Sequence, residues 1–476
     1  MLQGGGGGDT IDGGGGDDDI RGDGVNDSGN DVLNGGAGND YIEGGPGSDV
    51  IHGGPGDDAL YASAGPRAST PYSAAPVLTV FGAVDFLYGD SGNDLLVSVN
   101  PPEASLVIMH GGDGDDHLIS LSGLTDMYGG AGNDTLEGSG PAVADYLDST
   151  SGVAVDLRLS GPQDTIGAGV DTLSGISTLY GSPFNDTLTG DAGDNGLLGG
   201  PGDDTIDGQG GSDTALYVYS QTGVTVDLTI AGPQNTGEDG VDTLISIENL
   251  VGSDSGNDVL TGNAGPNALD GWGGDDTLRG GGGADTLSGG TGNDTFLFAP
   301  GDGWDLVADF GAGGAADRID LSTYPHVASF EQVLAHAVQS GPDTILKLSD
   351  EDQVTLSGVT KSALTSADFT VSPVVSPDFG SGVDFNGDGT GDVLWRNSNG
   401  IVAQWRIAPG SGTVSYVGMD TANSSWHIQG AADFDGDGKA DVLWRNDSGQ
   451  VAAWDSSPGG IAFQDLGVVG GSWFIS

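Results

Sequence analysis

Asp40, Asp49 and Asp58 stand nine residues apart in a run that reads GGAGNDYIE, GGPGSDVIH, GGPGDDALY from Gly35 to Tyr61. Each unit has the form G-G-x-G-x-D-x-(apolar)-x. Glycines at positions 1, 2 and 4 let the chain turn through conformations closed to residues with a Cβ, and they leave carbonyl oxygens unobstructed. Aspartate at position 6 adds a carboxylate. Carboxylate and carbonyl oxygens, without His or Cys, favour a hard cation over zinc or copper, and a flexible cage of oxygens suits calcium better than magnesium. The same position-6 acid recurs at Asp9, Asp18, Asp31, Asp116, Asp134, Asp186, Asp204, Asp213, Asp258, Asp276, Asp285 and Asp294. Asn195 and Asn267 replace it in two units, where the site is expected to be weaker. Asp94 has no clear neighbour two units away, so it is not counted among the candidate ligands.

The last three residues of each unit must position these acids. One aliphatic residue (Ile42, Ile51, Leu60) between two polar or small ones is a very short strand with one face inward. One nonapeptide cannot bury that face, but stacked copies can. With two units per coil, Asp40 and Asp58 lie in successive coils about 4.8 Å apart. Two like charges at that distance repel by roughly 3–4 kcal/mol at an effective dielectric of about 20, so a cation is required between them. These residues resemble the RTX, or haemolysin-type, calcium-binding repeat, a family whose nonapeptides form a parallel β-roll. The units around Asp31, Asp186 and Asp258 depart from its glycine pattern. A disordered acidic linker is the other reading of such a tract, and it describes the chain better without calcium than with it.

Composition supports a calcium-dependent chain. Of 476 residues 92 are glycine, and all but seven of the 70 acidic residues are aspartate, whose short side chain suits a tight loop site. A formal charge of −59 opposes any compact state unless bound cations offset it. It also argues against nucleic acid or an anionic membrane as a direct partner. With no cysteine, neither disulfides nor thiolate metal sites are available. No stretch approaches a membrane span, and Met1-Leu2-Gln3-Gly4 has neither a basic nor an apolar leader region. The expectation is an extracellular protein without a cleaved N-terminal signal, exported unfolded through type I secretion machinery as the resemblance implies.

Four regions follow along the chain. Residues 1–140 read as a calcium-binding β-roll, with degenerate coils between 62 and 110 that keep the strand but lose the ion. Residues 141–294 hold two 71-residue modules: GVAVDLRLSGPQDTIGAGVDTLSGISTLYG (152–181) aligns without a gap on GVTVDLTIAGPQNTGEDGVDTLISIENLVG (223–252), and nonapeptides follow each copy. Residues 295–372 gain aromatics and lose the repeats. DFGAGGAADRIDLS (309–322), DTILKLSDEDQVTLSGV (343–359) and LTSADF (364–369) are similar to the domain that caps the β-roll of serralysin-type proteases. Here Ser329 and Gln332 form a capping box ahead of Phe330, Val333, Leu334, Ala337 and Val338 at helical spacing.

The last region, 378–476, repeats DFNGDGTGDVLWRN (384–397) as DFDGDGKADVLWRN (433–446). Oxygens fall at alternate loop positions: Asp384, Asn386, Asp388 and Asp392, then Asp433, Asp435, Asp437 and Asp441. That is a second calcium loop, followed by strand rather than the helix of an EF-hand. It resembles FG-GAP or VCBS-type propeller blades. Two blades cannot close a propeller, and GGSWFIS (470–476) is similar to SSWHIQG (424–430), so the chain is expected to stop inside a blade. The fold class is therefore all-β: a parallel β-roll solenoid, a β-rich cap and two incomplete propeller-like blades.

Catalytic signatures are missing from the sequence. The six histidines make no H-E-x-x-H, and there is no G-x-S-x-G elbow, no cysteine nucleophile and no Gly-Lys phosphate loop. His52 and His117 end strands and read as outward surface, and His326 and His336 flank the cap helix as structural residues. Paired acids such as Asp57-Asp58 recur in repeat register, one as ligand and one as turn residue. The reading that results is a secreted, calcium-binding, non-catalytic repeat protein that folds on binding extracellular calcium. The alternatives are the C-terminal portion of a secreted hydrolase, protease-like by its cap, or an adhesin whose Trp395, Trp405, Trp444 and Trp454 meet a cell-surface glycan or protein.

Overall fold

Each nonapeptide ends in a three-residue strand whose middle side chain is sealed from solvent: Ile42 in Tyr41–Glu43, Leu60 in Ala59–Tyr61, Ile206 in Thr205–Asp207 and Leu278 in Thr277–Arg279. Stacking buries these residues, because Tyr41–Glu43 pairs in parallel with Ala59–Tyr61, Ile42 opposite Leu60, and Val32 to Asn34 pairs with Val50 to His52, Leu33 opposite Ile51. Two units make one coil of a parallel β-roll. The computed structural model describes residues 1–23, 28–62, 84–98, 106–121, 123–312, 317–324, 327, 329–371, 384–385, 393–396, 401–407, 414–421, 426–432, 439, 441–446, 450–455 and 462–468. Contacts divide the chain into Met1–Ser372 and Pro373–Ser476. No helix among the described residues is long and apolar enough to cross a membrane.

The two faces of the roll differ. One is a continuous sheet from Thr10–Gly15 to Trp304–Val307, which Gln353–Leu356 extends in parallel before Asp343–Lys347 and Ala337–Ser340 follow as antiparallel strands. The other is divided into sheets of nine, five and six strands. Both breaks fall in the 71-residue modules. In the first copy Val170–Ser174 completes one sheet by pairing with Thr135–Gly138, while Ala154–Asp156 starts the next by pairing with Thr187–Thr189. The second copy does the same with Gly240–Ile245 and Thr225–Asp227.

Between 62 and 110 the structure differs from the expected degenerate coils. Val84–Ser91 pairs directly with Val50–Pro55, and Leu95–Ser98 with Ala59–Tyr61. Residues 63–83, with Val77 to Phe81 among them, lie outside the described residues. On the outer face here, His52, Tyr88, His110 and Tyr128 stack ring on ring at centroid distances of 4.6, 5.0 and 4.2 Å. His52 also lies 3.3 Å from Asp90, and His117 lies 3.2 Å from Glu137.

In the cap, aromatic side chains join the aliphatic core, with Phe296, Phe298, Phe310, Tyr324 and Phe369 all buried beside Leu321, Leu346 and Leu356. Ser329 caps the helix Phe330–His336 by accepting the Gln332 N–H at 3.3 Å. This helix ends sooner than the apolar spacing suggests. Ala337 and Val338 are extended and begin the strand that pairs with Asp343–Lys347, so hairpin closure of the sheet overrides the helical pattern.

In Pro373–Ser476, Val393–Arg396, Ile401–Ile407 and Val414–Thr421 form a three-stranded antiparallel sheet. Trp426–Ala432, Asp441–Asn446, Gln450–Asp455 and Ala462–Val468 form a four-stranded one. Trp444 and Trp454 are buried with their rings 4.7 Å apart. They serve this sheet's interior and leave no face for a sugar.

Candidate metal centre

Stacking places each position-6 aspartate under its counterpart in the next coil, and the two are hydrogen-bonded rather than merely adjacent. Asp40 N–H donates to Asp58 Oδ1 at 2.7 Å, Asp58 N–H to Asp94 Oδ1 at 2.6 Å, Asp94 N–H to Asp116 Oδ1 at 2.8 Å, and Asp116 N–H to Asp134 Oδ1 at 2.8 Å. One oxygen of each carboxylate is thereby engaged. The other, Oδ2, is sealed from solvent and has no hydrogen-bond partner in Asp9, Asp31, Asp40, Asp49, Asp58, Asp94, Asp116, Asp134, Asp204, Asp213, Asp276, Asp285 and Asp294. A buried acceptor left unpaired costs about 1–3 kcal/mol, and more when charged.

Position-1 glycine shows what these oxygens face. A Cβ built on Gly13 would lie 2.8 Å from Asp18 Oδ2 and 2.5 Å from the Gly35 carbonyl oxygen in the next coil. At Gly89 it would lie 2.5 Å from Asp94 Oδ2 and against the Gly111 carbonyl, and Gly111 relates in the same way to Asp116 and Gly129. Each turn thus forms a cradle of one carboxylate oxygen and one carbonyl oxygen, repeated along the roll. Among the described residues no three or more acidic, His or Cys side chains converge. Such a site takes most of its oxygens from the backbone, which fits calcium.

The ladders assign most of the candidate residues. Asp9, Asp31 and Asp49 form one, and Asp18, Asp40, Asp58, Asp94, Asp116 and Asp134 another. Asp186 leads to Asp204, Asn195 to Asp213, Asp258 to Asp276 and Asp294, and Asn267 to Asp285. Two of these rungs differ from the rest. Asp186 Oδ2 accepts the Ser182 N–H at 2.6 Å, and Asp258 Oδ2 accepts the Ser253 N–H at 2.8 Å. There a serine N–H supplies the partner that the other Oδ2 atoms lack. Asn195 and Asn267 are likewise satisfied, their Oδ1 atoms accepting N–H groups of Asp191 and Asn263 at 2.8 Å. In the second unit Asp384 is partly exposed and Asp441 is buried at a strand start. Asn386, Asp388, Asp392, Asp433, Asp435 and Asp437 lie outside the described residues.

Sequence reasoning missed Asp94 and the terminal rungs. Asp49, Asp134, Asp204, Asp213, Asp285 and Asp294 donate their N–H groups to Asp85, Asp171, Asp242, Glu248, Asp305 and Asp317. None of these six has the glycine pattern. All have an apolar residue two places on (Leu87, Leu173, Leu244, Leu250, Val307, Ile319), a signal they share with acids outside the ladders such as Asp145 and Asp343, so the strand pairing is needed to pick them out.

Burial and like charge raise the carboxyl pKa values along the ladders. Burial first, then neighbouring carboxylates, push Asp49 and Asp204 up to about 8, Asp94, Asp134 and Asp276 to about 7, and Asp58, Asp116 and Asp294 to about 6. At neutral pH these rungs need either protons or cations.

The modules end two ladders with hydroxyl groups. Asp171 Oδ2 accepts Thr165 Oγ1 at 3.0 Å and the buried Tyr146 hydroxyl at 3.2 Å. Asp242 Oδ2 accepts Thr236 Oγ1 at 2.9 Å and the Tyr217 hydroxyl at 3.3 Å. These rungs are satisfied without metal. Replacing Tyr217→Phe together with Thr236→Val is expected to cost about 2–3 kcal/mol by leaving Asp242 unpaired. Urea unfolding in saturating calcium measures this, and an unchanged midpoint would refute the hydroxyl role.

Residues 1–28, 25–60, 81–98, 180–215, 253–287 and 273–304 match the RTX calcium-binding nonapeptide repeat, and residues 384–466 match the FG-GAP-like repeat. A comparison with curated proteins finds no match. Among solved structures, the extracellular lipase LipA from Serratia marcescens is similar at 17% identity over 70% of this chain, with a TM-score of 0.20. The chain spans 39% of that lipase's length. The AlgE6R3 subunit of the Azotobacter vinelandii mannuronan C5-epimerase is similar at 24% identity over 39% of this chain and 78% of the subunit, with a TM-score of 0.17. The stretch at 81–98 includes Asp94, the rung that its isolation in sequence had set aside. The chain therefore carries RTX calcium-binding nonapeptide repeats, which bind calcium ions, and an FG-GAP-like repeat in its second unit.

Proposed function

We propose that this is a secreted calcium-binding protein whose roll folds when it meets extracellular calcium, and that the residues present serve structure and attachment rather than catalysis. The row of buried, unpartnered Oδ2 oxygens carries the reading. Without cations the coils stack like charges in a low-dielectric turn, and with them the same oxygens become ligands, so folding and binding are one equilibrium. In this proposal the Oδ2 atoms of Asp9, Asp31, Asp40, Asp49, Asp58, Asp94, Asp116, Asp134, Asp204, Asp213, Asp276, Asp285 and Asp294 are the ligands. The loops at 384–392 and 433–441 hold further ions. Sites of extracellular type bind at about 10⁻⁴ to 10⁻³ M, which keeps the chain unfolded in low cytosolic calcium, as type I export requires, and folds it outside.

The regions 1–140, 141–294, 295–372 and 378–476 are proposed as roll, modules, cap and a blade-like part for a cell-surface glycan or protein. Far-ultraviolet circular dichroism during a calcium titration tests the core of this reading. The expected result is a cooperative rise in strand signal between about 0.1 and 1 mM calcium. A strand signal that excess chelator leaves unchanged would sink it.

A further inference from the structure

Away from the glycine turns, the outer face of the continuous sheet brings together acids that the ladders do not use. The strand Leu124–Ala131 turns Met127 into the core and Asp126 and Tyr128 outward. Its neighbour Ala142–Asp145 turns Ala144 inward and Asp145 outward, and Tyr180 of the next strand lies opposite Asp145. Asp145 is only 1% exposed. Its Oδ1 accepts the Leu147 N–H at 2.7 Å, while its Oδ2 is buried with no hydrogen-bond partner, and so is Asp126 Oδ1. The register Asp126↔Val143 and Met127↔Ala144 puts Asp126, Tyr128 and Asp145 on the same outer face of adjacent strands, with Asp126 diagonal to Asp145 and Tyr128 next to both. Among the described residues no ion pair to Asp126 or Asp145 is formed. His110, opposite Tyr128 in the neighbouring strand, interacts with Asp148.

The second module shows that the fold does not need this pair. Tyr146 and Tyr217 do the same work in the two copies, each donating to the aspartate that ends a ladder. At the same 71-residue offset Asp145 corresponds to Leu216 and Asp148 to Tyr219. One copy fills the position with an aliphatic side chain, as a sheet face covered by neighbouring side chains prefers. The other buries a carboxylate near a second one, which is destabilising unless something compensates the charge.

We propose that Asp126 and Asp145 hold a divalent cation of the calcium type on the outer face of the sheet, separate from the glycine cradles. The two unpartnered oxygens and the Tyr128 hydroxyl supply hard donors, with backbone carbonyls or water completing the shell. The site is specific to the first module, because Leu216 removes it from the second.

Crystals of the full chain grown with terbium in place of calcium test this through anomalous difference maps. The expected result is a peak between the Asp126 and Asp145 carboxylates of the parent chain. In Asp145→Leu, which copies the second module, that peak disappears while the peaks along the cradles remain. No density between the two carboxylates in a parent map that shows the cradle peaks would overturn the proposal and leave a shared proton as the compensation. A peak that persists in Asp145→Leu would overturn it as well.

Discussion

In excess chelator at about pH 8 the roll is expected to lose its strand signal, and on acidification toward about pH 4, still without calcium, to regain part of it. The direction follows from the carboxyl groups. Rungs such as Asp49, Asp204, Asp134 and Asp276 have folded-state values of about 7 to 8, against about 3.9 in an unfolded chain. Between those limits the folded coil holds more protons than the unfolded one, so metal-free stability falls as pH rises through 7 to 8 and is greatest near and below pH 4. Asp156 works in the opposite direction, because its bond to Arg158 lowers its pKa. It is half-buried, and with Asp275, lowered by its bonds from Asn293, it makes two groups set against whole ladders.

Calcium reverses the sign. It binds the carboxylate form, so it displaces protons from the rungs, and the calcium midpoint must rise as pH falls. Circular dichroism at the two pH values with and without calcium gives the four states. Calorimetry in two buffers of different ionisation enthalpy counts the protons released. A chelated chain folded equally at both pH values, or a calcium midpoint indifferent to pH, would contradict the ladder account.

How far the sequence carries depends on what sets each feature. The three-residue strands and their inward residues are local: Ile42, Leu60 and Ile206 are buried wherever an aspartate two places back closes a glycine turn. The cradles were legible for the same reason. The ladder ends were not, since Asp171 and Asp242 join their ladders only through strand pairings 37 and 38 residues away. Asp94 looked isolated because 36 residues separate it from Asp58 in sequence, yet only one coil separates them in space. The serine partners of Asp186 and Asp258 turned a departure from the glycine pattern into a different means of satisfaction. In the cap, the helical spacing through Ala337 and Val338 lost to a hairpin that the last coil needs.

Two substitutions in one turn separate the cation from the backbone path, and together they give the largest expected change from single residues. Gly111→Ala places a methyl group in the cradle, against Asp116 Oδ2 and 2.5 Å from the Gly129 carbonyl. Both atoms are held, one by its carboxylate's bond to Asp94 and the other by the stacked backbone. Asp116→Asn keeps an oxygen for the Asp94 N–H and turns Nδ2 toward the cradle carbonyls. The chain's own Asn267 is turned the other way, its Oδ1 accepting the Asn263 N–H at 2.8 Å in the cradle and its Nδ2 donating to the carbonyl of the preceding rung, Glu248, at 2.6 Å. In calcium at about a hundred times the dissociation constant, loss of one site removes about 2.7 kcal/mol from either variant. Gly111→Ala loses a further 1–3 kcal/mol or so from overpacking.

In chelator near pH 4 the variants are expected to part. Asp116→Asn should match the parent, since a protonated aspartate and an asparagine offer the cradle the same donor and acceptor. Gly111→Ala should remain destabilised by the overpacking term alone. Urea midpoints under both conditions read out the difference. If Asp116→Asn were as damaging without calcium as with it, the carboxylate would be holding the backbone and not an ion, and the cradle would be a turn without a ligand.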